Sequence, residues 1–289
     1  GNGGEVGDFD VVLANPPFTG NIDKSDIGES LRGLDTSKTE LLFVELILQL
    51  LRTGGRAAVI VPEGLLFGST RAHRTLRQKL VKENQLNAVI SLPGGVFQPY
   101  TGVKTSLLLF NRDGSTDEVW FYEVGADGLT LNAKRSEQYE RNDLWDLTLK
   151  YRLRYAAAYA QPAPAFVDGE TWRQWQAYDE ETRRRHYLQP RIATRIETDP
   201  EGEPVTAPML VGVATQSIDA ANDWVAEQLE LTENDLNLSA GRYKPFELEA
   251  MQHDPPIKII RDLQEIEDQI RGGLSKLLEL VEHSHGSDE

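Results

Sequence analysis

Between residues 9 and 124 the chain alternates short runs that are apolar almost throughout with longer segments of helical character. That alternation narrows the fold more than any other feature. Runs of six or seven residues such as FDVVLA (9–14), RAAVIV (56–61), LNAVIS (86–91), TSLLLFN (105–111) and EVWFYEV (118–124) fit strands that are buried in a sheet. ELLFVELILQLL (40–51) is apolar on nearly every face and reads as a buried helix, ended by Gly54 and Gly55. TRAHRTLRQKLVKE (70–83) reads as a helix with Leu76 and Leu80 inward and a basic outer face, on which His73 is expected to be exposed. Strands alternating with helices imply an α/β fold, a largely parallel sheet with helices on its faces.

The pattern weakens after about residue 155. QPAPAFVDGE (161–170) reads as a linker, residues 171–189 permit a helix with Arg183, Arg184 and Arg185 on a solvated face, and TDPEGEPVTAP (198–208) reads as loop. Near the C-terminus Ile260, Leu263, Ile266, Ile270, Leu274, Leu277 and Val281 recur in steps of three and four. Such a stripe fits a helix that packs on a partner, or one that packs on its own domain. Gly272 and Gly273 weaken it locally. The expected organisation is an α/β part over 1–155, a linker or insertion over 156–215 and a helical region over 216–289.

The chain has no cysteine, which excludes disulfides and thiolate metal sites and suits a cytoplasmic protein. No metal site is expected. The richest apolar stretch, LLFVELILQLL, is too short to cross a membrane, and no signal sequence is read at the N-terminus. The net charge is −16. Residues 1–155 hold 18 of the 30 Lys and Arg and 20 of the 46 Asp and Glu, which leaves 12 and 26 for the rest. A chain this acidic lacks the basic footprint of an independent nucleic-acid binder. If it acts on DNA, another chain is expected to supply much of the phosphate contact.

Directly after the first strand stands Asn15-Pro16-Pro17-Phe18. In a doubly wound sheet, ligands bind at the carboxyl ends of the strands, so Asn15 sits where chemistry is expected. Read as structure alone, Asn-Pro-Pro is a rigid turn that ends a strand. Read as chemistry, it suits an exocyclic amino group such as that of adenine, whose lone pair is delocalised into the ring. The Asn15 amide oxygen and the Pro16 carbonyl each accept one N–H, and together they favour a pyramidal nitrogen with its lone pair freed. Pro16 and Pro17 fix φ and so preorganise the acceptors. Phe18 offers a flat face on which an extruded base stacks.

FDVVLANPPF resembles the catalytic motif of amino-directed methyltransferases that use S-adenosylmethionine. Asn-Pro-Pro-Phe alone is shared with ribosomal-RNA and protein-glutamine methyltransferases. LLRTGGRAAVIVPEGLLFG (50–68), LNAVISLPGGVFQPYTGVKTSLLLF (86–110), EVGADGLTLNAKR (123–135) and NDLNLSAGRYKP (234–245) together resemble the modification subunits of type I restriction–modification systems. The resemblance implies an adenine-N6 DNA methyltransferase with Asn15, Pro16, Pro17 and Phe18 catalytic. It implies that the loop 92–104 borders the base pocket, with Phe97 and Tyr100 as walls and Lys104 near a phosphate. DNA, a specificity subunit bound through about 256–282 and a restriction subunit are the implied partners. These enzymes hold the cofactor with a glycine-rich loop well upstream of the catalytic motif, and only 14 residues precede Asn15. The expectation is therefore a partial, Rossmann-like methyltransferase sheet that comprises the second half of the domain, a mainly helical C-terminal part, and weak or absent binding of S-adenosylmethionine by this chain alone. The other readings are an RNA or protein-glutamine methyltransferase, and a catalytically inert assembly module.

Overall fold

A computed structural model of the protein describes residues 7–154, 167–179, 182, 186–198, 204–215, 221–245 and 256–285. The chain divides into two units, Gly1–Phe246 and Glu247–Glu289.

The first unit is built on a six-stranded sheet. In chain order its strands are β1 (Phe9–Ala14), β2 (Leu51–Pro62), β3 (Gln85–Ser91), β4 (Thr105–Asn111), β5 (Glu118–Glu123) and β10 (Asp223–Glu227), and in space they lie β1-β2-β4-β3-β5-β10. β1 and β2 are parallel, as are β3 and β5, while β4 runs antiparallel to both β2 and β3 and β10 runs antiparallel to β5. Four strands thus point one way, which is the largely parallel sheet that the alternation implies. β4 reverses because only the loop 92–104 joins it to β3, and without a crossover helix a strand next to its predecessor must turn back.

Helix α1 (Thr39–Leu50), the short α2 (Gly64–Phe67) and α3 (Arg71–Gln78) cover one face. Leu41, Val44 and Ile47 of α1 and Leu76 of α3 join Val59, Val61, Leu108, Phe110, Val89 and Phe121 in one apolar core. Gly54 and Gly55 do not end α1, which stops at Leu50; they form an irregular start to β2. A Cβ on Gly55 would stand 2.9 Å from the Phe9 carbonyl oxygen and 2.8 Å from that of Arg52, so the close approach of β1 there requires glycine. His73 is buried, not exposed as its basic neighbours suggest. Its Nδ1 lies 2.6 Å from Thr70 Oγ1, and burial, then Lys38 and Arg77, lower its pKa from the ordinary 6.5.

The opposite face is covered unevenly. Over β3 and β5, helix α4 (Leu144–Leu153) packs Leu147 and Tyr151 against Ile90, Trp120 and Tyr122. A buried polar network fastens it: Lys150 Nζ lies 2.8 Å from Asp223 Oδ1 and 3.2 Å from Asp146 Oδ2, Tyr122 O–H donates to Asp146 Oδ2 at 2.8 Å, and Trp120 Nε1 donates to Asp223 Oδ2 at 3.2 Å. Burial opposes the charge on Lys150, but the two carboxylates outweigh it and raise its pKa. Over β1, β2 and β4 the same face is open. Val11, Leu13, Arg56, Ala58, Asn87 and Leu109 line a hollow of about 220 Å³ there. β1 is an edge strand, and its Leu13 is 79% exposed. The expectation that FDVVLA is buried therefore fails, because the described residues pair it on one side only.

β6 (Asp127–Leu129) and β7 (Glu137–Asn142) form an antiparallel hairpin after the first five strands. Helix α5 (Gly169–Ala177) is capped by Asp168, whose carboxylate accepts from the Glu170 and Thr171 amides. Helix then gives way to a long antiparallel ribbon, β8 (His186–Thr198) and β9 (Pro204–Thr215). The ribbon corrects two readings: 186–189 is strand rather than helix, and 204–208 is strand rather than loop. Residues 161–166, 199–203 and Arg183–Arg185 lie outside the described residues. Residues 223–243, which the sequence groups with the C-terminal helical region, belong with the sheet. β10 extends it at β5, and the short helix α6 (Gln228–Glu233) and the turn at Ala240–Arg242 pack Leu231, Leu236 and Tyr243 into the main core. Burial pushes the Tyr243 hydroxyl up to about 12.

The described residues of the second unit form one helix, α7 (Pro256–His285). Ile260, Leu263, Ile266, Ile270 and Leu274 are each at least 51% exposed on it. The side chains of Leu277 and Val281 lie outside those described.

Candidate active site

The carboxyl ends of β1, β2 and β3 meet the start of β4 at one edge of the sheet, because Pro62 pairs with Thr105 and Ser91 with Ser106. Three connections emerge there: 15–38, 63–70 and 92–104. The catalytic candidates occupy the first. Asn15 and Pro17 are exposed at the end of β1, and Pro16 and Phe18 are half-buried. The connection then folds back onto α1. Gly20 carbonyl accepts from the Thr39 amide at 3.1 Å, and Ser37 carbonyl from the Ile22 amide at 3.0 Å. Asn15 to Phe18 are thus held between a strand end and an anchored loop.

Phe97, from the connection 92–104, reaches the same place. Its ring centroid lies 5.0 Å from that of Phe18, with the planes inclined at 58°. The contact joins residues 79 positions apart, and it sets two aromatic faces next to the Asn-Pro-Pro segment. The hairpin β6–β7 backs this connection. Gly95, at φ 96°, is where a Cβ would stand 2.7 Å from the Leu131 carbonyl oxygen, so both its conformation and its neighbour demand glycine.

Lys104 lies at the end of the same connection, next to the turn after β2. Its ammonium is 2.9 Å from Glu63 Oε1, and its carbonyl accepts from the Glu63 amide at 3.1 Å. The first role of Lys104 is therefore to tie two connections together, although its side chain remains 46% exposed. Tyr100 stands apart from the others. It is 93% exposed, so it walls no pocket in this conformation. The Gln98–Pro99 peptide before it is cis. No sequence pattern marks Glu63 as the partner of Lys104, since pairing across two loops leaves no periodic trace.

A site for the methionyl end of S-adenosylmethionine needs bare backbone N–H groups at a glycine-rich turn from a strand into a helix. Among the described residues no strand lies beyond β1. The turn from β2 into α2, Pro62-Glu63-Gly64, carries one glycine and an acidic side chain. These residues do not fit that end of the cofactor. Among the described residues there is also no group of three His, Cys, Asp or Glu side chains placed to hold a metal ion, and no helix is long and apolar enough to cross a membrane.

The family model described as N-6 DNA Methylase matches residues 4–164. The EcoEI type I restriction enzyme methylase subunit of Escherichia coli is 41% identical over 114 residues, 39% of this chain and 23% of that protein. The EcoKI methylase subunit of E. coli K12 is 35% identical over 123 residues, again 39% of this chain and 22% of that protein. The chain thus spans under a quarter of the length of these curated relatives. A solved structure from work on complex assembly and conformational transition of the type I R-M system is 26% identical. It aligns with a TM-score of 0.51 and covers 96% of this chain and 46% of that chain.

Proposed function

The chain belongs to the N-6 DNA methylase family, and on that premise we propose that it forms the target-base half of an adenine-N6 DNA methyltransferase of the type I restriction–modification kind. The observation that carries this reading is the Phe18–Phe97 pair beside Asn15-Pro16-Pro17 at the carboxyl edge. A flipped adenine enters against these rings and stacks on Phe18. Its amino group meets the Asn15 amide oxygen and the Pro16 carbonyl, each of which accepts one N–H. Holding both hydrogens out of the ring plane localises the lone pair on nitrogen, and the nucleophile needs no prior loss of a proton. Pro17 keeps the turn rigid, so the acceptors do not reorganise as the reaction proceeds. Lys104, held by Glu63, meets a phosphate beside the flipped nucleotide.

S-adenosylmethionine is the methyl donor in this reading, bound by residues other than those described. The open face and free edge at β1 receive the part that holds it, whether from this polypeptide or from another. DNA reaches the site through a specificity subunit that packs on α7, and a restriction subunit joins the same assembly, all in the cytoplasm. Relatives named as type I methylase subunits favour DNA over RNA or a glutamine side chain as the substrate. The chain on its own is inactive.

The test is Asn15→Ala in the assembled enzyme. Losing one preorganised hydrogen-bond partner is expected to slow methylation by about 10²–10³-fold, by analogy with an oxyanion-hole donor, while assembly and DNA affinity stay intact. Methylation at the wild-type rate would remove Asn15 from the chemistry.

A further inference from the structure

We propose that Tyr100 is the side chain that enters the DNA stack in the place the extruded base leaves. The inference rests on the base-flipping reading above and gives that reading a residue it lacks.

Tyr100 is a large aromatic group that is 93% exposed, the most exposed of the large apolar side chains described. A singly exposed apolar side chain is ordinary on a protein surface, so what matters is where this ring is held. The Tyr100 backbone is tethered. The Tyr100 and Thr101 amides donate to the Phe97 carbonyl at 2.9 and 3.0 Å, and the Gln98 amide donates to the Gly95 carbonyl at 3.1 Å. Beyond it, Val103 N–H donates to Thr101 Oγ1 at 3.1 Å, and Lys104 is fixed by Glu63 on both its carbonyl and its ammonium. A ring held out on an anchored turn has already lost much of the freedom that binding would otherwise remove.

Position points to the ligand. The bond from Tyr100 to Phe97 closes a four-residue turn, which keeps the two Cα atoms within about 7 Å. Phe97 packs on Phe18 at the base site, whereas Tyr100 faces solvent. One short turn therefore carries one ring at the pocket and another outside it. An extruded nucleotide has the same two ends: a base in the pocket and a gap in the stack next to it. Charge favours this contact over a phosphate clamp. The chain has net charge −16, the loop 92–104 carries a single cation, Lys104, and Arg135 of the adjoining hairpin is paired with Asp127. Val103 and Leu131, each 40% exposed, add apolar rather than basic surface to the same two segments. A ring inserted between base steps is sequence-tolerant, because every base has a π-face.

The experiment uses the assembled enzyme and a duplex containing its site, read beforehand from the positions of N6-methyladenine in treated DNA. The probe is 2-aminopurine in place of the target adenine, whose fluorescence rises on unstacking. Tyr100→Ala is expected to lower the flipped population about ten-fold and to leave the melting temperature of the chain unchanged, since the side chain is exposed. Tyr100→Trp is expected to restore the signal. On a duplex mismatched at the target position, where little unstacking remains to be done, the Tyr100→Ala defect in methylation is expected to shrink to within about two-fold. If wild-type fluorescence rises and Tyr100→Ala leaves it unchanged, the wedge is wrong and base flipping stands. Equal losses on matched and mismatched DNA, without rescue by tryptophan, would assign Tyr100 to another contact. No rise with the wild-type enzyme overturns both readings.

Discussion

In the proposed reading, residues 15–18 and 97 acquire their chemistry from their setting. Asn15 is an ordinary amide until a strand end and two prolines fix it, and Phe18 is half-buried because Phe97 comes to it from another loop. His73 shows the reverse, a titratable group whose setting disarms it. In the folded protein its pKa lies below the unfolded value of 6.5, so folding favours the neutral ring. The unfolded chain binds the extra proton first, and stability therefore falls as the pH drops through 6.5 towards the lower folded value. Melting followed from pH 7.5 to 5.5 should show a loss in the wild-type protein that is smaller in His73→Asn; equal losses would mean that carboxylates alone set the slope. Much of the site was legible at this scale. FDVVLA followed by Asn-Pro-Pro announces a strand that stops at the prolines, and β1 ends at Ala14, directly before them. His73 was misread because a basic helix surface was assumed to run all the way round, whereas the ring lies beneath Gly68 and faces α3's buried side.

Elements differ in how much of their setting is local. β2, β3, β4 and β5 are apolar runs bounded by turns, and the pattern alone locates them to within a few residues. β10 carries no such signal, because its partner β5 lies about a hundred residues earlier and the pairing of Trp224 with Phe121 depends on everything between. The ribbon β8–β9 was hidden differently: Pro190, Pro204 and Pro208 interrupt its alternation, and proline argues against strand in any local reading. β1 is the element whose sequence and setting agree least. It is apolar on both faces, as a central strand should be, yet it forms an edge. Leu13→Glu tests what that mismatch means. At 79% exposure the change should leave the melting temperature of the isolated chain almost unaltered, within about 0.5 kcal/mol of stability, while reducing self-association in sedimentation and blocking union with the cofactor-holding part. A large fall in melting temperature would show that Leu13 is already packed in solution.

For the whole molecule, the question is which surfaces work away from the sheet. The stripe on α7 gives each Leu or Ile that becomes buried a gain of about 1.5–3 kcal/mol, which is what the proposed contact with a specificity subunit draws on. Leu263→Asp combined with Ile270→Asp should abolish co-purification with the specificity subunit and leave the melting of Gly1–Phe246 in place; survival of the complex would show that the helix is not the contact. The acidity of the chain fits the proposed assembly, in which other subunits supply much of the phosphate contact. The reversed strand bears on how such a molecule comes into being. β2 and β3 never touch; β4 lies between them, and it is the later of the three in the chain. Until residues 105–111 have left the ribosome, β1–β2 cannot be joined to β3 at all. β5 and β10 come later still, so the sheet grows outward from β4, and its far edge waits for residues more than a hundred positions downstream.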